Sequence, residues 1–244
     1  MSVHRCGLLW APIDMRPQIV GCGSSGRAPP NTVTACFEAI DGGADSVAID
    51  ICETADGVLV VANRRTLRLL QPTGPSVPTF EAVSRTPLDG VFGPHASRHR
   101  VAALDAFLAE IGGLSLHVRI DGPLRPAAWR AFEAMLFARD SGGTTVLGAP
   151  VRIVDWRVPS HVRRVALIES ADDMYDAVAG HVDGVAASAR SLTALKGIQI
   201  PLIALDCDTR SALVLARTVR AVAVFTERPA WLRSVWDQRS FARG

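Results

Sequence analysis

A short β-branched run followed by a helical pattern recurs along this chain, and that alternation limits the fold more than any other property of the sequence. Strand-like runs lie at residues 18–21, 46–51, 114–120, 151–154, 164–168, 182–186, 202–205 and 221–225. Helical patterns lie near residues 32–41, 101–111, 126–139, 171–179, 191–195, 210–218 and 230–236. Strands that alternate with helices build a parallel sheet, and eight of them close into a (β/α)8 barrel of the TIM type. At 244 residues the chain suits one such domain over residues 1–244, and its 48% hydrophobic content supplies a core. The Thr54-Ala55-Asp56-Gly57 turn before residues 58–62 predicts a small hairpin that extends the second strand. The fourth βα unit reads as shortened. Pro159 leaves no room for a full helix between Trp156 and Arg163, so either that helix is lost or the strand belongs at residues 145–147.

Bulk properties exclude several function classes. The net charge is +2 and the charges are mixed along the chain, which argues against a nucleic-acid partner. The basic residues are 25 Arg and one Lys, Lys196. No apolar run reaches the roughly 20 residues of a membrane span, and Pro12 and Asp14 interrupt the apolar patch that would have to serve as a signal peptide. Cysteines 6, 22, 36, 52 and 207 form no CxxC pair, a pattern that fits reduced thiols and a cytoplasmic location.

The third strand is readable from its own alternation. Leu114, Leu116, Val118 and Ile120 share one face; Ser115, His117, Arg119 and Asp121 share the other. The outer face of a barrel packs on helices, so the polar face points inward. In the second strand Ser46, Ala48, Asp50 and Cys52 point inward by the same rule. A charged Arg119 in the interior needs a partner, and Asp50 faces the same space. Of the six histidines only His117 is expected inside the barrel, more in keeping with a satisfied core residue than with a base. Cys22 ends the first strand, where a nucleophile could sit, yet a lone cysteine is usually packing. The Gly21–Gly26 stretch with its two serines lacks the lysine and spacing of a P-loop and reads as a connector. Asn31 and Thr32 are expected to cap the first helix.

The order of motifs resembles the glycerophosphodiester phosphodiesterase family. This chain carries Gly21-Cys22-Gly23, Pro29-Pro30-Asn31-Thr32, Gly43-Ala44-Asp45-Ser46-Val47-Ala48-Ile49-Asp50, Thr54-Ala55-Asp56-Gly57 and Asn63-Arg64. The family pattern runs His-Arg-Gly, Pro-Glu-Asn-Thr, Gly-Ala-Asp-x-x-Glu-x-Asp, Thr-x-Asp-Gly and His-Asp. Phe225-Thr226-Glu227-Arg228-Pro229 resembles its closing Thr-Asp-x-Pro motif. The resemblance implies a barrel whose active site would use a divalent cation, Mg or Ca, with two histidines as general acid and base.

Carried over residue by residue, most of that chemistry is absent. Gly21 stands for the first histidine and Cys22 for its neighbouring arginine; Asn63 stands for the second histidine. Ala48 replaces one metal ligand and Arg119 another, so Asp50 alone is left; Asp121 stands for a lysine and Leu205 for an aromatic. The expectation is a barrel that binds no metal and has no catalytic residue, with Asp50, Asn63, Arg64 and Arg119 as its ligand-binding positions. Arg119 would supply the positive charge the cation no longer brings and pair with Asp50. The other reading of that pair is interior filling without function. Two functions follow: a pseudoenzyme that binds a phosphorylated small molecule or a protein partner, or a divergent phosphoric diester hydrolase of glycerophosphodiester and lipid metabolism. The second requires a rebuilt, metal-independent site drawing on His117 and Cys22.

Overall fold

The computed structural model describes residues 16–22, 27–72, 77–139, 143–153, 156, 158–188 and 190–237. The interrupted apolar patch at the N-terminus, Cys6 and most of the Gly21–Gly26 stretch lie outside these residues. In chain order the elements begin β1 Gln18–Gly21, α1 Val33–Asp41, β2 Ser46–Glu53, β3 Leu59–Val61, α2 Arg64–Leu70, α3 Phe80–Arg85, α4 Asp89–Phe92 and α5 Leu104–Ile111. They continue β4 Leu116–Ile120, α6 Pro126–Ala138, β5 Thr144–Gly148, α7 Pro150–Ile153, β6 Val162–Leu167, α8 Ala171–Ala179 and β7 Gly184–Ser188. The last are β8 Leu202–Leu205, α9 Arg210–Thr218, β9 Ala223–Thr226 and α10 Pro229–Asp237.

Eight of these strands are parallel, in the order β1-β9-β8-β7-β6-β5-β4-β2, and β1 pairs with β2 to close the ring. This is a (β/α)8 barrel. The ninth strand, β3, pairs antiparallel with the end of β2, Ile51 facing Val61 and Glu53 facing Leu59. The expected hairpin is therefore present. Its turn is held by Thr54, whose hydroxyl accepts from Val58 N at 3.1 Å and donates to Asp56 at 2.6 Å.

The alternation of side chains sorts the core into layers. Val47, Ile49 and Ile51 of β2 and Leu116, Val118 and Ile120 of β4 face outward into one cluster with Phe107 of α5 and Phe132 of α6. Val20, Leu147, Val165, Ala186, Ile203, Ala223 and Phe225 fill the barrel interior. A third cluster (Cys52, Val60, Ala62, Leu67, Val83, Leu88, Ala96, Val101) seats the β3–α4 insertion beside the C-terminal mouth.

The fourth strand takes the second of its two expected places, around residues 145–147. The fourth barrel strand is β5, Thr144–Gly148, and residues 151–153 belong to the single-turn helix α7. Pro150 explains the difference: its fixed φ suits the first position of a helix. A one-turn helix cannot cover the barrel wall, and Trp156 does so instead. Its ring stacks on Phe132 at 5.6 Å and meets Trp129 edge-on at 4.9 Å, and its indole N–H donates to Glu133 at 2.5 Å.

Candidate functional site

In α/β barrels the loops after the strands' C-terminal ends form the working face. Here β2 and β4 bring Asp50 and Arg119 to that face as register partners. Arg119 Nε donates to Asp50 Oδ1 at 2.6 Å. The second oxygen, Asp50 Oδ2, accepts from Asn31 Nδ2 at 3.2 Å and from Asn63 Nδ2 at 3.3 Å. Both amides are themselves held. Asn31 Oδ1 accepts from the Asp50 backbone N–H at 2.7 Å, and Asn63 Oδ1 caps α2 by accepting from Thr66 N at 2.8 Å. Asp50 is thus the hub of four donor–acceptor contacts that join β2, β4, the β1–α1 loop and the start of α2.

The pair is asymmetric. The Asp50 side chain is 12% exposed and that of Arg119 is 48% exposed. Arg119 therefore sits at the mouth with its outer edge in solvent rather than deep in the interior. Burial opposes its charge, but the Asp50 carboxylate and the hydrogen bond to it outweigh burial and hold the guanidinium above its ordinary value. Among the described residues, its two terminal nitrogens have no hydrogen-bond partner.

Arg64 and Asp121 complete this side of the mouth. Asp121 accepts from the Arg64 backbone N–H at 2.6 Å. The Arg64 side chain lies across Gly122, where a Cβ would come within 2.6 Å of Arg64 Cδ. Gly122 has φ +104, a conformation that favours glycine. The sequence missed Asn31 as a partner of Asp50, reading it with Thr32 as a cap. Thr32 is the cap, accepting from Ala35 N at 3.2 Å. The positive φ of Asn31, 63°, turns its side chain toward Asp50.

Across the mouth, the ends of β8 and β9 are acidic. Asp208 accepts from Thr226 Oγ1 at 2.6 Å and from Glu227 N at 2.8 Å. Burial, with Asp208 and Asp206 nearby, raises the Glu227 carboxyl above its ordinary value. In the sequence Thr226 and Glu227 of this sector belong to the closing Thr-Asp-x-Pro-like motif, whereas Asp206 and Asp208 carried no motif.

The two side chains considered for a rebuilt reaction are differently placed. His117 is 2% exposed, packs edge-on to Phe225 at 5.2 Å, and its Nδ1 has no hydrogen-bond partner. Burial first, and the charge of Arg163 second, lower it to about 3, so the ring is neutral. Cys22 is partly buried at the mouth. Burial pushes its thiol well up; Arg119 opposes this, and Asp50, Asp208 and Asp206 add to it. Gly21 faces away from the site, since a Cβ there would lie 2.5 Å from Ala39 Cβ of α1. Leu205 joins the apolar lining of the interior.

A hard divalent cation needs several oxygen ligands. Asp50 is the one carboxylate of the three aligned ligand positions, and both its oxygens already accept hydrogen bonds. Ala48 carries no ligand atom, and the Arg119 guanidinium brings a positive charge to the same carboxylate. Among the described residues no group of three or more His, Cys, Asp or Glu has the arrangement of a metal site. The residues here do not fit a divalent cation.

No family model matches the sequence, and no curated protein matches it. The fold does have solved counterparts. A phosphodiesterase from Oleispira antarctica, solved with the product sn-glycerol-3-phosphate, superposes with a TM-score of 0.74 at 16% identity, over 91% of this chain and 97% of that one. A glycerophosphodiester phosphodiesterase from Agrobacterium tumefaciens gives 0.70 at 21% identity, over 90% and 100%. One from Parabacteroides distasonis gives 0.72 at 14% identity, over 92% and 98%. The chain has the fold of these phosphodiesterases. Among the described residues no helix is long and apolar enough to cross a membrane.

Proposed function

We propose that this chain is a glycerophosphodiester phosphodiesterase-like barrel that no longer hydrolyses phosphodiesters and instead binds a ligand at its mouth. One observation carries the reading: the position that would serve a cation is closed by the Asp50–Arg119 pair, with Asn31 and Asn63 filling the remaining acceptor sites. The aligned proton-transfer positions and the two side chains weighed for a rebuilt site supply no ready agent either. Asn63 cannot act as an acid or base. A neutral, fully buried His117 cannot meet a substrate proton, and general catalysis works best near neutral pKa. A thiol raised as far as Cys22 is not a thiolate at neutral pH and makes a poor nucleophile.

What the mouth keeps is recognition chemistry. Arg119, Arg64 and the Asn63 amide offer donors that suit a phosphorylated small molecule, because a guanidinium matches phosphate oxygens in pairs. Should no such molecule bind, a protein partner is the remaining version of a binding role.

The test is turnover of glycerophosphodiesters such as glycerophosphocholine, with Mg2+, with Ca2+ and with chelator, read as released glycerol phosphate. The expected result is none in any condition. Metal-dependent release would defeat the reading through cation ligands that the aligned positions do not supply. Release indifferent to chelator would favour the divergent hydrolase and make Cys22 and His117 the first residues to replace.

A further inference from the structure

We propose that Arg119 is the resident cation of the barrel mouth, and that its outward edge binds the phosphate group of an anionic small molecule with no metal ion taking part. This deepens the binding role argued above and rests on that reading.

The guanidinium is used on one edge only. Its Nε edge is fixed by Asp50. Asp50 is in turn fixed by two amides, and each amide is anchored to backbone, Asn31 to Asp50 N and Asn63 to Thr66 N. The side chain is therefore aimed before any ligand arrives, which removes much of the ordering cost of binding. The edge that remains presents two terminal nitrogens toward solvent, at a side chain 48% exposed. Two parallel N–H groups in one plane are the fork that pairs with two oxygens of a phosphate.

Electrostatics places the anion on one side of the mouth. Asp206 and Asp208, with Glu227 beside them, make the ends of β8 and β9 acidic and unfavourable to an anion. On the β2–β4 side Arg119 and Arg64 balance Asp50 and Asp121, so that sector is neutral overall but has guanidinium donors in reach. Arg64 can reach because Gly122 leaves room for its side chain to lie across the rim. A neutral sector gives directed hydrogen bonds without a large Coulomb gain, so inorganic phosphate alone should bind weakly, with Kd on the order of millimolar.

The experiment is calorimetry and thermal melting of the whole chain with inorganic phosphate, in EDTA and then with Mg2+ or Ca2+, with chloride at matched ionic strength as control. Phosphate should raise the melting temperature in EDTA, by an amount the metals leave unchanged. Arg119→Lys keeps the charge beside Asp50 but loses the fork, and should bind phosphate at least about tenfold more weakly. Arg65→Gln, on the exposed face of α2, should bind as the parent does. No phosphate effect, an effect that needs Mg2+ or Ca2+, or unchanged binding by Arg119→Lys would overturn the proposal. The EDTA comparison is made on the unaltered protein, so it stands even where a variant folds poorly. Absent phosphate binding together with absent turnover would sink this inference alone, whereas turnover would sink the non-hydrolytic reading whatever phosphate does.

Discussion

Asp50 and Arg119 meet because they are register partners on neighbouring parallel strands, and the contact between them is 2.6 Å. No loop movement is needed to bring them together; the ladder between β2 and β4 does it. The pair is part of the barrel's frame as well as of its mouth.

Removing the two partners should therefore have unequal costs. Arg119→Gln leaves a carboxylate that is 12% exposed without its cation but still with two amide donors, while Asp50→Asn turns an amide NH2 toward either Arg119 or the Asn31 and Asn63 amides, donor against donor. A fully buried pair broken on one side costs about 3–5 kcal/mol, and exposed pairs are worth about 0–1. This half-exposed pair falls between, so Arg119→Gln should cost about 1–2 kcal/mol and Asp50→Asn, which disturbs all three donors, more. A double-mutant cycle by urea unfolding, at low and at high salt, measures the coupling. Equal costs for the two single variants, or zero coupling, would contradict the asymmetry.

His117 makes the fold sensitive to acid. Its ordinary value is 6.5 and burial lowers it to about 3, with Arg163 adding to the effect. The unfolded chain therefore takes up a proton below pH 6.5 that the folded chain refuses until about pH 3. Stability is fully present above 6.5 and falls as pH drops through that window, by up to about 1.4 kcal/mol per pH unit for one proton. Replacing His117 by Gln removes this component. The parent should lose roughly 2–3 kcal/mol more than the variant between pH 6.5 and 4.5. Parallel stability curves for the two proteins would show that His117 is not the group responsible.

The strand–helix alternation made the barrel legible, since the outer faces of β2 and β4 are continuously apolar and, among the longer helices, α1, α5, α6 and α9 each bury one side. Even the meeting of Asp50 and Arg119 followed from period-two alternation. What escaped was set by contacts across long sequence separations or by backbone conformation. The run at residues 151–154 is β-branched enough to compete with residues 145–147 for the fourth strand, and short apolar runs do not declare their own conformation. Asn31 was indistinguishable from a helix cap because its partner, Asp50, is 19 residues on. The helices α2 to α4 were not anticipated; each spans only four to seven residues, too few for a periodic pattern to show.

Trp156 is expected to carry the stability that a full fourth helix would otherwise supply. It is 8% exposed and closes an aromatic group with Trp129 and Phe132 over the barrel wall beside the one-turn helix α7. Trp156→Ala should cost about 3–5 kcal/mol, the range for deleting a buried large aromatic. Trp156→Phe keeps the stacking on Phe132 and loses the hydrogen bond to Glu133, so its cost should be about 1–2 kcal/mol. Chemical denaturation of both variants checks this. A small loss in the alanine variant would mean that the wall is covered without the tryptophan.

Gly122 and Arg64 should behave as a coupled pair. An added Cβ at position 122 meets Arg64 Cδ at 2.6 Å and Nη1 at 2.9 Å, and the backbone there has φ +104. Gly122→Ala therefore carries two separate penalties, a clash and a strained backbone. The backbone part alone is expected to exceed about 1 kcal/mol, because alanine does not tolerate positive φ. Trimming the clashing partner with Arg64→Ala should relieve the steric part and leave the backbone part. The double variant should then be more stable than the sum of the single effects predicts, by about 0.5–1 kcal/mol. Strict additivity would mean that Arg64 moves aside freely, and that it does not lie across Gly122 with enough order to help fix an anion at the rim.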